Sequence, residues 1–419
     1  MRWNTKGALG AIRKWHVDEV RIARTALRYL MADNPFGSNP FEIVFKDLMK
    51  VMAGQGQLAS SVAEQFALSL AADGDGGANP EPLVRMRIES LFELAGRDLA
   101  AESILADFMP RNATVEVVSP VDFAKKSLAD FSELLGRAEE VAKSVAPTDL
   151  SIVGESIEIA GLPLAQMGGM MGPIMTGLNA GSCIGHLAKE SLASYDVPLL
   201  RDDGRIQIIA ANLKLFSEEW SLDFDEAVLW LCLSQLALHA VLSQEVIKSR
   251  IAQLITAHFA AAIQFSESLS NRLSEIDTSD PSTLERLASN PNELLGIQLS
   301  NTQEKQLRDA RSFFAVIVGL ADYVTSVSAR KLMGSFEPMA EALRRRRLEA
   351  REGEELFKKL FGLGFDSATF DLGHKFIFGV IERNSEDELA SILKEVENFP
   401  TPNEVEAPGL WLARIGAPS

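Results

Sequence analysis

The stretch of sequence that decides the fold runs Asp223-Phe-Asp-Glu-Ala-Val-Leu-Trp-Leu-Cys-Leu-Ser-Gln-Leu-Ala-Leu-His-Ala-Val-Leu242. Asp223 is a residue type preferred at helix N-caps, and Glu226, three residues later, has the spacing of a capping-box partner. After Glu226 the polar side chains are those of Ser234, Gln235 and His239. A helix that is apolar on nearly every side belongs in a protein core. We therefore predict a central buried helix over 223–242.

Composition and charge exclude several classes of protein. The chain has 419 residues, of which 47% are hydrophobic, so it can form a sizeable core. Its formal net charge of -17 would repel nucleic acids and anionic membranes, which are themselves negative. The two cysteines, Cys183 and Cys232, lie in apolar segments without metal-ligand spacing, which predicts reduced core thiols. No signal-peptide pattern precedes Arg13, and we expect a cytoplasmic location.

One uncharged segment raises the question of a membrane helix. Residues 159–188 contain no formally charged side chain, and the segment is long enough to span a bilayer. Within it, Gly177, Gly181 and Gly185 recur every four residues, as in the small-residue contact faces of membrane helices. Two prolines and a high density of glycine lower the hydrophobicity of the segment and suit a helix whose neighbours approach it closely. We predict a buried helix of a soluble protein, with no membrane association.

The rest of the chain is predicted to be mainly helical with a few short strands. Apolar residues at helical spacing mark segments at 17–31, 82–108, 123–145, from 243 onward, and 303–332. Strand-like runs lie at 115–118, 151–160 and 205–211. Because no long linker divides the chain, we expect one domain over residues 34–419, preceded by a helical extension over residues 1–33.

Two further features have ordinary structural explanations. Residues 344–347 are four consecutive arginines inside a segment, 341–355, that also contains several glutamates. Alternating charge predicts a solvated helix face rather than a nucleic-acid site. His258 shares an apolar helical stripe with Ile251 and Leu254, which predicts a hydrogen-bonded core histidine.

The chain also carries short motifs in a fixed order: Met167-Gly-Gly-Met-Met-Gly-Pro, Tyr195-Asp-Val-Pro-Leu-Leu, the segment from Asn212 to Trp220, Trp230, Gly319-Leu-Ala-Asp-Tyr-Val, Ala342-Leu-Arg-Arg-Arg-Arg, Phe361-Gly-Leu, Phe399-Pro-Thr-Pro and Trp411-Leu-Ala-Arg. With these motifs, residues 34–416 resemble a bacterial family of uncharacterised zincin-like proteins that are predicted zinc metalloproteases. The resemblance implies a mainly α fold with a few short strands (α+β), on a zincin-like metallopeptidase scaffold. It also implies an HExxH helix, a later helix with a Glu-Gly pair, and metal-assisted peptide hydrolysis.

The sequence departs from that family pattern at the four positions that would carry the chemistry. Ser234 and Leu238 lie where the two zinc histidines of HExxH would lie, and Gln235 lies where the catalytic glutamate would lie. Gly319 aligns with the glycine of the Glu-Gly pair, so Val318 occupies the third ligand position. The chain is therefore identified as a degenerate member of the family, and these four residues are vestigial site positions.

These replacements are incompatible with zinc-dependent peptide hydrolysis. A catalytic zinc needs three protein ligands, yet Leu238 has no lone pair, and the neutral amide of Gln235 cannot take a proton from water as a carboxylate can. A shifted register that uses His239 as the second histidine does not restore the motif. Gln235 would then replace the first histidine, and Leu236 would replace the catalytic base. The histidines lie at positions 16, 186, 239, 258 and 374, and no two are three or four residues apart. We expect no catalytic residue, no metal and no cofactor here.

Asp322 and His239 are candidate cavity-lining residues beside the vestigial positions. Asp322 interrupts an apolar helical segment one turn after Val318 and matches an acid in the family pattern. In an active relative such a carboxylate could orient a metal ligand. Because a buried carboxylate without a partner is costly, we predict that Asp322 contacts His239, an arginine or backbone amides.

The preferred functional hypothesis is a catalytically inactive zinc-metallopeptidase homologue that acts as a binding or interaction scaffold. Its protein partner is unknown, and an intact paralogue is a natural candidate. The alternative is a hydrolase with altered, non-HExxH chemistry in the same cavity, with Ser234 as nucleophile. His239 is the local base for that reaction, but five residues correspond to about 140° around a helix, so the two side chains would point to different faces.

Overall fold

The computed structural model describes residues 58–73, 77–131, 158–159, 162–197, 204–275, 301–334, 336–349, 351–362 and 364–416. The expected helical extension over residues 1–33 and the helix over residues 17–31 lie outside the described residues. The same holds for residues 132–145 of the helix predicted over 123–145, of which residues 120–131 are described as helical.

The described residues are mostly helical, which confirms the predicted fold class. The helices are α1 (Leu58–Ala71), α2 (Pro82–Glu102), α3 (residues 120–131), α4 (Leu164–Glu190), α5 (Ala210–Glu219), α6 (Phe224–Leu242), α7 (Glu245–Glu275), α8 (Asn301–Leu332), α9 (Phe336–Leu348), α10 (Glu352–Phe361), α11 (Ser367–Ile381), α12 (Pro402–Glu406) and α13 (Pro408–Ile415). Short 3₁₀ turns occupy Ala106–Phe108, Ser194–Asp196, Glu386–Leu393 and Val396–Asn398.

Within the described residues, four short strands form two small sheets. Strands β1 (Thr114–Val118) and β4 (Arg205–Ile209) pair in parallel, and β2 (Glu158–Ile159) pairs antiparallel with β3 (Leu162–Pro163). The strand predictions at 115–118 and 205–211 are confirmed, whereas of the run at 151–160 only Glu158–Ile159 is described as strand. The β4 strand is rich in isoleucine, whose branched side chains suit a pleated surface, and it continues directly into α5.

Helix α6 is the central helix that the sequence predicts. It begins where Asp223 Oδ1 accepts hydrogen bonds from the backbone N–H groups of Asp225 (3.0 Å) and Glu226 (3.1 Å). Nearly all of its side chains from residue 227 to residue 242 are buried, and it packs against α2 on one side and α8 on another. Each fully buried leucine of such a helix contributes about 1.5–3 kcal/mol to stability, so α6 contributes substantially to the core.

Glycines allow helices α4 and α1 to come unusually close. A Cβ atom on Gly181 would lie 2.6 Å from the carbonyl oxygen of Ala63, and one on Gly185 would lie 2.6 Å from Cβ of Leu70, so α4 packs directly on the backbone of α1. This confirms that the glycine face of α4 is buried against a close neighbour. The helices α6 and Glu304–Leu332 are long and apolar enough to cross a bilayer, but 83% and 78% of their apolar windows are buried inside the fold, as in core helices.

The cysteines and His258 are also found as predicted. Cys183 and Cys232 are free and buried, and burial raises the pKa of both thiols far above its usual range, which makes them poor nucleophiles. His258 is half-buried and hydrogen-bonded to the backbone of Lys359 and Leu360. Burial lowers the pKa of its imidazole, so His258 is a structural histidine at the junction of α7 and α10.

Candidate vestigial active site

The four positions predicted to be vestigial come together around one cavity. Ser234, Gln235 and Leu238 project into it from α6, and Val318 reaches it from α8, about 80 residues later in the chain. The cavity has a volume of about 70 Å³. Since a single water needs about 10–15 Å³ of such space, it can hold a few waters or one small chemical group, but not a peptide.

The side chains at these positions do not fit a catalytic zinc. Leu238 and Val318 present only carbon, and the Ser234 hydroxyl makes no hydrogen bond with the part of the chain that the structure describes. Gln235 is engaged elsewhere, because its Oε1 accepts the backbone N–H of Tyr195 at 2.8 Å. Within the described residues, no three His, Cys, Asp or Glu side chains are grouped so that they could hold a metal ion. Zinc requires three such ligands.

His239 lies behind the wall of the cavity rather than in it. The imidazole is buried, and its Nδ1 lies 2.6 Å from the hydroxyl oxygen of Tyr195, which does line the cavity. His239 is therefore bonded to Tyr195 on its own side of α6, while Ser234 faces the cavity. This arrangement leaves the two residues of the alternative hydrolase mechanism apart.

Asp322 lines the cavity and is paired with an arginine, as predicted. The two terminal nitrogens of Arg347 donate hydrogen bonds to the two carboxylate oxygens of Asp322. The same guanidinium lies over the ring of Phe370, 3.8 Å from its centre. The aromatic face and the carboxylate together hold the Arg347 side chain in place along the cavity wall.

The prediction that the arginine run forms a solvated helix face is wrong for half of the run. Arg344 and Arg345 are 62% and 56% exposed and pair with Glu341, as predicted. Arg346 and Arg347 are 15% and 23% exposed and line the cavity. The reason is helical geometry: consecutive residues project about 100° apart, so four in a row cover every side of α9 and two of them must face inward.

A second carboxylate, Asp196, organises the other side of the cavity. Its Oδ2 accepts hydrogen bonds from the backbone N–H of Leu192 (2.9 Å), from Arg346 (3.0 Å) and from Arg351 (3.4 Å). Arg351 also pairs with Glu354, whose pKa is raised to about 7 by burial, against the opposing effect of the arginine. A glutamate there is partly protonated near neutral pH.

Sequence reasoning missed Tyr195, Asp196, Arg346 and Arg351 as members of this site. Signals were present, because Tyr195 and Asp196 begin one of the motifs and Arg346 lies in another. Their convergence on the cavity depends on how the 3₁₀ turn at Ser194–Asp196 packs against α6 and α9, and no local pattern in the sequence reports that contact.

Comparisons with known proteins agree with this architecture. A family model described as zincin-like metallopeptidase matches residues 59–412. A solved structure from Chloroflexus aurantiacus, described as a putative hydrolase with a novel fold, superposes with a TM-score of 0.59 over 86% of this chain and 99% of that one. The two sequences are 16% identical, so this likeness concerns the fold alone. No curated protein is significantly similar to the chain in sequence.

Proposed function

The chain belongs to the zincin-like metallopeptidase family, and we propose that it is a member without metallopeptidase activity that uses the inherited scaffold to bind a ligand or a partner. One observation carries the proposal. The four residues that the resemblance aligns with the zinc ligands and the general base of a zincin line one cavity, and they are a serine, a glutamine, a leucine and a valine, namely Ser234, Gln235, Leu238 and Val318.

The chemistry of those four side chains supports inactivity. Metallopeptidase catalysis needs a Lewis acid to lower the pKa of water and a carboxylate to take its proton. A hydroxyl and an amide are weak, neutral zinc ligands, and two hydrocarbon side chains are not ligands at all. The two carboxylates of the wall, which could otherwise serve as a metal ligand or a base, are engaged, because Asp322 pairs with Arg347 and Asp196 with Arg346.

The packing around the cavity supports a retained binding role. Gln235 ties α6 to the backbone of Tyr195, and Asp322 ties α8 to α9 through Arg347. These contacts hold polar and charged side chains in defined positions along an otherwise apolar wall, which is the arrangement of small-molecule sites. A protein partner, with an intact paralogue as one candidate, and a cytoplasmic location remain predictions that co-purification and fractionation would test.

Zinc content tests the proposal directly. The purified full chain, dialysed against zinc and then against buffer, should contain far less than one zinc per chain by elemental analysis, and it should not cleave a mixed peptide library. One tightly held zinc per chain that is lost in Ser234→Ala, together with chelator-sensitive peptide cleavage, would overturn the proposal. Zinc that is retained in Ser234→Ala would lie at another site and would leave the cavity assignment intact.

The alternative, a hydrolase with altered chemistry in the same cavity, has one observation in its favour. The Ser234 hydroxyl faces the cavity and makes no hydrogen bond with the described residues. A serine nucleophile also needs an adjacent base. The nearest candidate along the chain, His239, is bonded to Tyr195 and does not line the cavity, so we prefer the binding role.

A further inference from the structure

The cavity carries more positive charge than the rest of the molecule would suggest. Three arginines line it, Arg346 and Arg347 from α9 and Arg351 just before α10, in a chain whose net charge is -17. Two carboxylates, Asp196 and Asp322, line it as well. Three guanidinium groups against two carboxylates leave one positive charge facing the cavity.

Glu354 offsets that excess only in part. It pairs with Arg351 but does not line the cavity. Because burial raises its pKa to about 7, the side chain is partly neutral near physiological pH. Among the residues that line the cavity, three arginines thus face two carboxylates, which matches a monoanion better than a dianion.

Arg346 has hydrogen-bond donors to spare. Its Nη2 donates to the carbonyl oxygen of Glu190 at 2.8 Å and to Asp196 at 3.0 Å. Its Nε and Nη1, which carry three of its five N–H groups, make no hydrogen bond with a described residue. The Arg351 Nε is buried and has no acceptor either. Burial and the neighbouring Arg351 lower the pKa of Arg346, which an added anion would relieve.

The remaining wall is apolar and gives the ligand its shape. Side chains of Trp230, Leu238, Val318 and Phe365 face the same space, and Ser234 adds one hydroxyl group to its lining. Arginine forks match the planar, two-oxygen geometry of a carboxylate. An apolar group next to that carboxylate would remove the apolar part of the wall from water, which favours binding.

We infer that this cavity binds a monoanionic carboxylate attached to a small apolar group, held by Arg346 with the support of Arg347 and Arg351. A free short-chain acid and the C-terminal residue of a peptide both present this chemistry. The inference rests on the proposed function, since it needs the cavity to be a binding site and not a zinc centre.

The test measures binding of propanoate and of its neutral amide, which are small enough for the cavity, by calorimetry and ligand-detected NMR, at low salt with chelator present. N-acetyl-Ala-Ala and its C-terminal amide form a second arm, in which only the C-terminal carboxylate and its methyl side chain would enter the cavity. This arm separates a free acid from a peptide terminus, and inorganic phosphate is the dianion comparison. Arg346→Gln, Arg347→Gln and the cavity-filling Ser234→Leu are the site variants. Arg344→Gln is the matched control, because it removes an arginine of the same run on the exposed side of α9.

At least one carboxylate should bind, and its amide and phosphate should bind more weakly. Loss of a charge-assisted hydrogen bond should raise the dissociation constant about tenfold or more in Arg346→Gln or Arg347→Gln, whereas Arg344→Gln should stay within about twofold of the wild type. If Arg346→Gln does not fold, the dissociation constants of Arg347→Gln and Ser234→Leu, compared with the wild type, test the inference.

Three results would overturn the inference: equal binding of acid and amide, equal weakening in Arg344→Gln and the site variants, or no carboxylate binding at millimolar concentration. Zinc content measured on the same samples separates a failure of this inference from a failure of the proposed function. A chain that is zinc-free and binds no carboxylate contradicts this inference alone, whereas a stoichiometric zinc lost in Ser234→Ala contradicts the proposed function.

Discussion

The hydroxyl of Tyr195 lies 2.6 Å from Nδ1 of His239, and both side chains are buried. This hydrogen bond joins the 3₁₀ turn at Ser194–Asp196 to α6, and it runs beside a second one from the Tyr195 backbone to Gln235. The turn that lines the cavity is thus tied to the vestigial helix at two points, one of them through the imidazole that would have served Ser234 as a base.

The Tyr195–His239 bond should contribute measurably to stability. Tyr195→Phe removes the hydroxyl and leaves a ring nitrogen of His239 without this partner in the core, so the free energy of unfolding should fall by about 1–3 kcal/mol in urea titrations. Tyr323→Phe is the matched control, because the hydroxyl of Tyr323 bonds Glu386 near the surface, where water can replace it. Equal losses of unfolding free energy in Tyr195→Phe and Tyr323→Phe would contradict a stabilising role for the buried hydrogen bond to His239.

Ser234 should not react as a nucleophile. Because His239 is bonded to Tyr195 and does not line the cavity, it does not activate the Ser234 hydroxyl, and a serine-directed fluorophosphonate probe should leave the folded chain unlabelled by mass spectrometry. A serine hydrolase labelled in parallel shows that the probe is active. Stoichiometric labelling that disappears in Ser234→Ala would favour the alternative hydrolase mechanism.

Replacing an inward-facing arginine of α9 should lower the free energy of unfolding more than replacing an outward-facing one. Arg347→Gln leaves the Asp322 carboxylate partly buried without its ion-pair partner and should lower the free energy of unfolding by about 1–3 kcal/mol. Arg344→Gln removes an exposed pair with Glu341, which should change stability by less than about 1 kcal/mol. The double variant Arg347→Gln/Asp322→Asn should recover part of the loss, and an additive loss instead would show that the two residues are not coupled.

Two helical glycines should respond to alanine with opposite signs. A Cβ on Gly319 of α8 would lie 2.7 Å from the backbone of Gly373 in α11, so Gly319→Ala should force the helices apart and cost about 1–3 kcal/mol. A Cβ on Gly96 of α2 meets only Leu236 at 3.8 Å, so Gly96→Ala should stabilise the chain by up to about 1 kcal/mol through helix propensity. Thermal melts of both variants check the signs.

Glu354 should make stability depend on pH. Its pKa is about 7 in the folded chain, against an ordinary value of 4.5, so between these values the folded state binds more protons than the unfolded state. The resulting stabilisation is fully present below pH 4.5 and is lost as the pH rises through 7. Glu354→Gln cannot ionise, so its stability relative to the wild type should rise by up to about 3 kcal/mol between pH 4.5 and pH 8. A difference that is constant over this range in urea titrations would contradict the raised pKa.

Much of the fold was predictable because it depends on local patterns. The apolar run after Asp223 predicted α6 and its N-cap, and the isoleucine-rich run before Ala210 predicted β4. The type of group that pairs with Asp322 was also predicted, because a buried carboxylate requires a cation or amide donors as its partner. The resemblance marked the four vestigial positions, which lie around one cavity.

By itself, the sequence determined the capped core helix after Asp223 and the side-chain chemistry available at Ser234, Gln235, Leu238 and Val318, because capping, periodicity and the absence of lone pairs are properties of the residues themselves and their neighbours. Only the tertiary structure decided that Arg346 and Arg347 face inward while Arg344 faces water, and that Asp196 meets Arg346 across 150 residues of chain. The physical reason is that the rotation of α9 about its axis is set by contacts with other elements, among them the hydrogen bonds of Arg346 to Glu190 in α4 and of Arg347 to Asp322 in α8. That rotation turned half of an apparently solvated arginine run into the charged wall of a cavity.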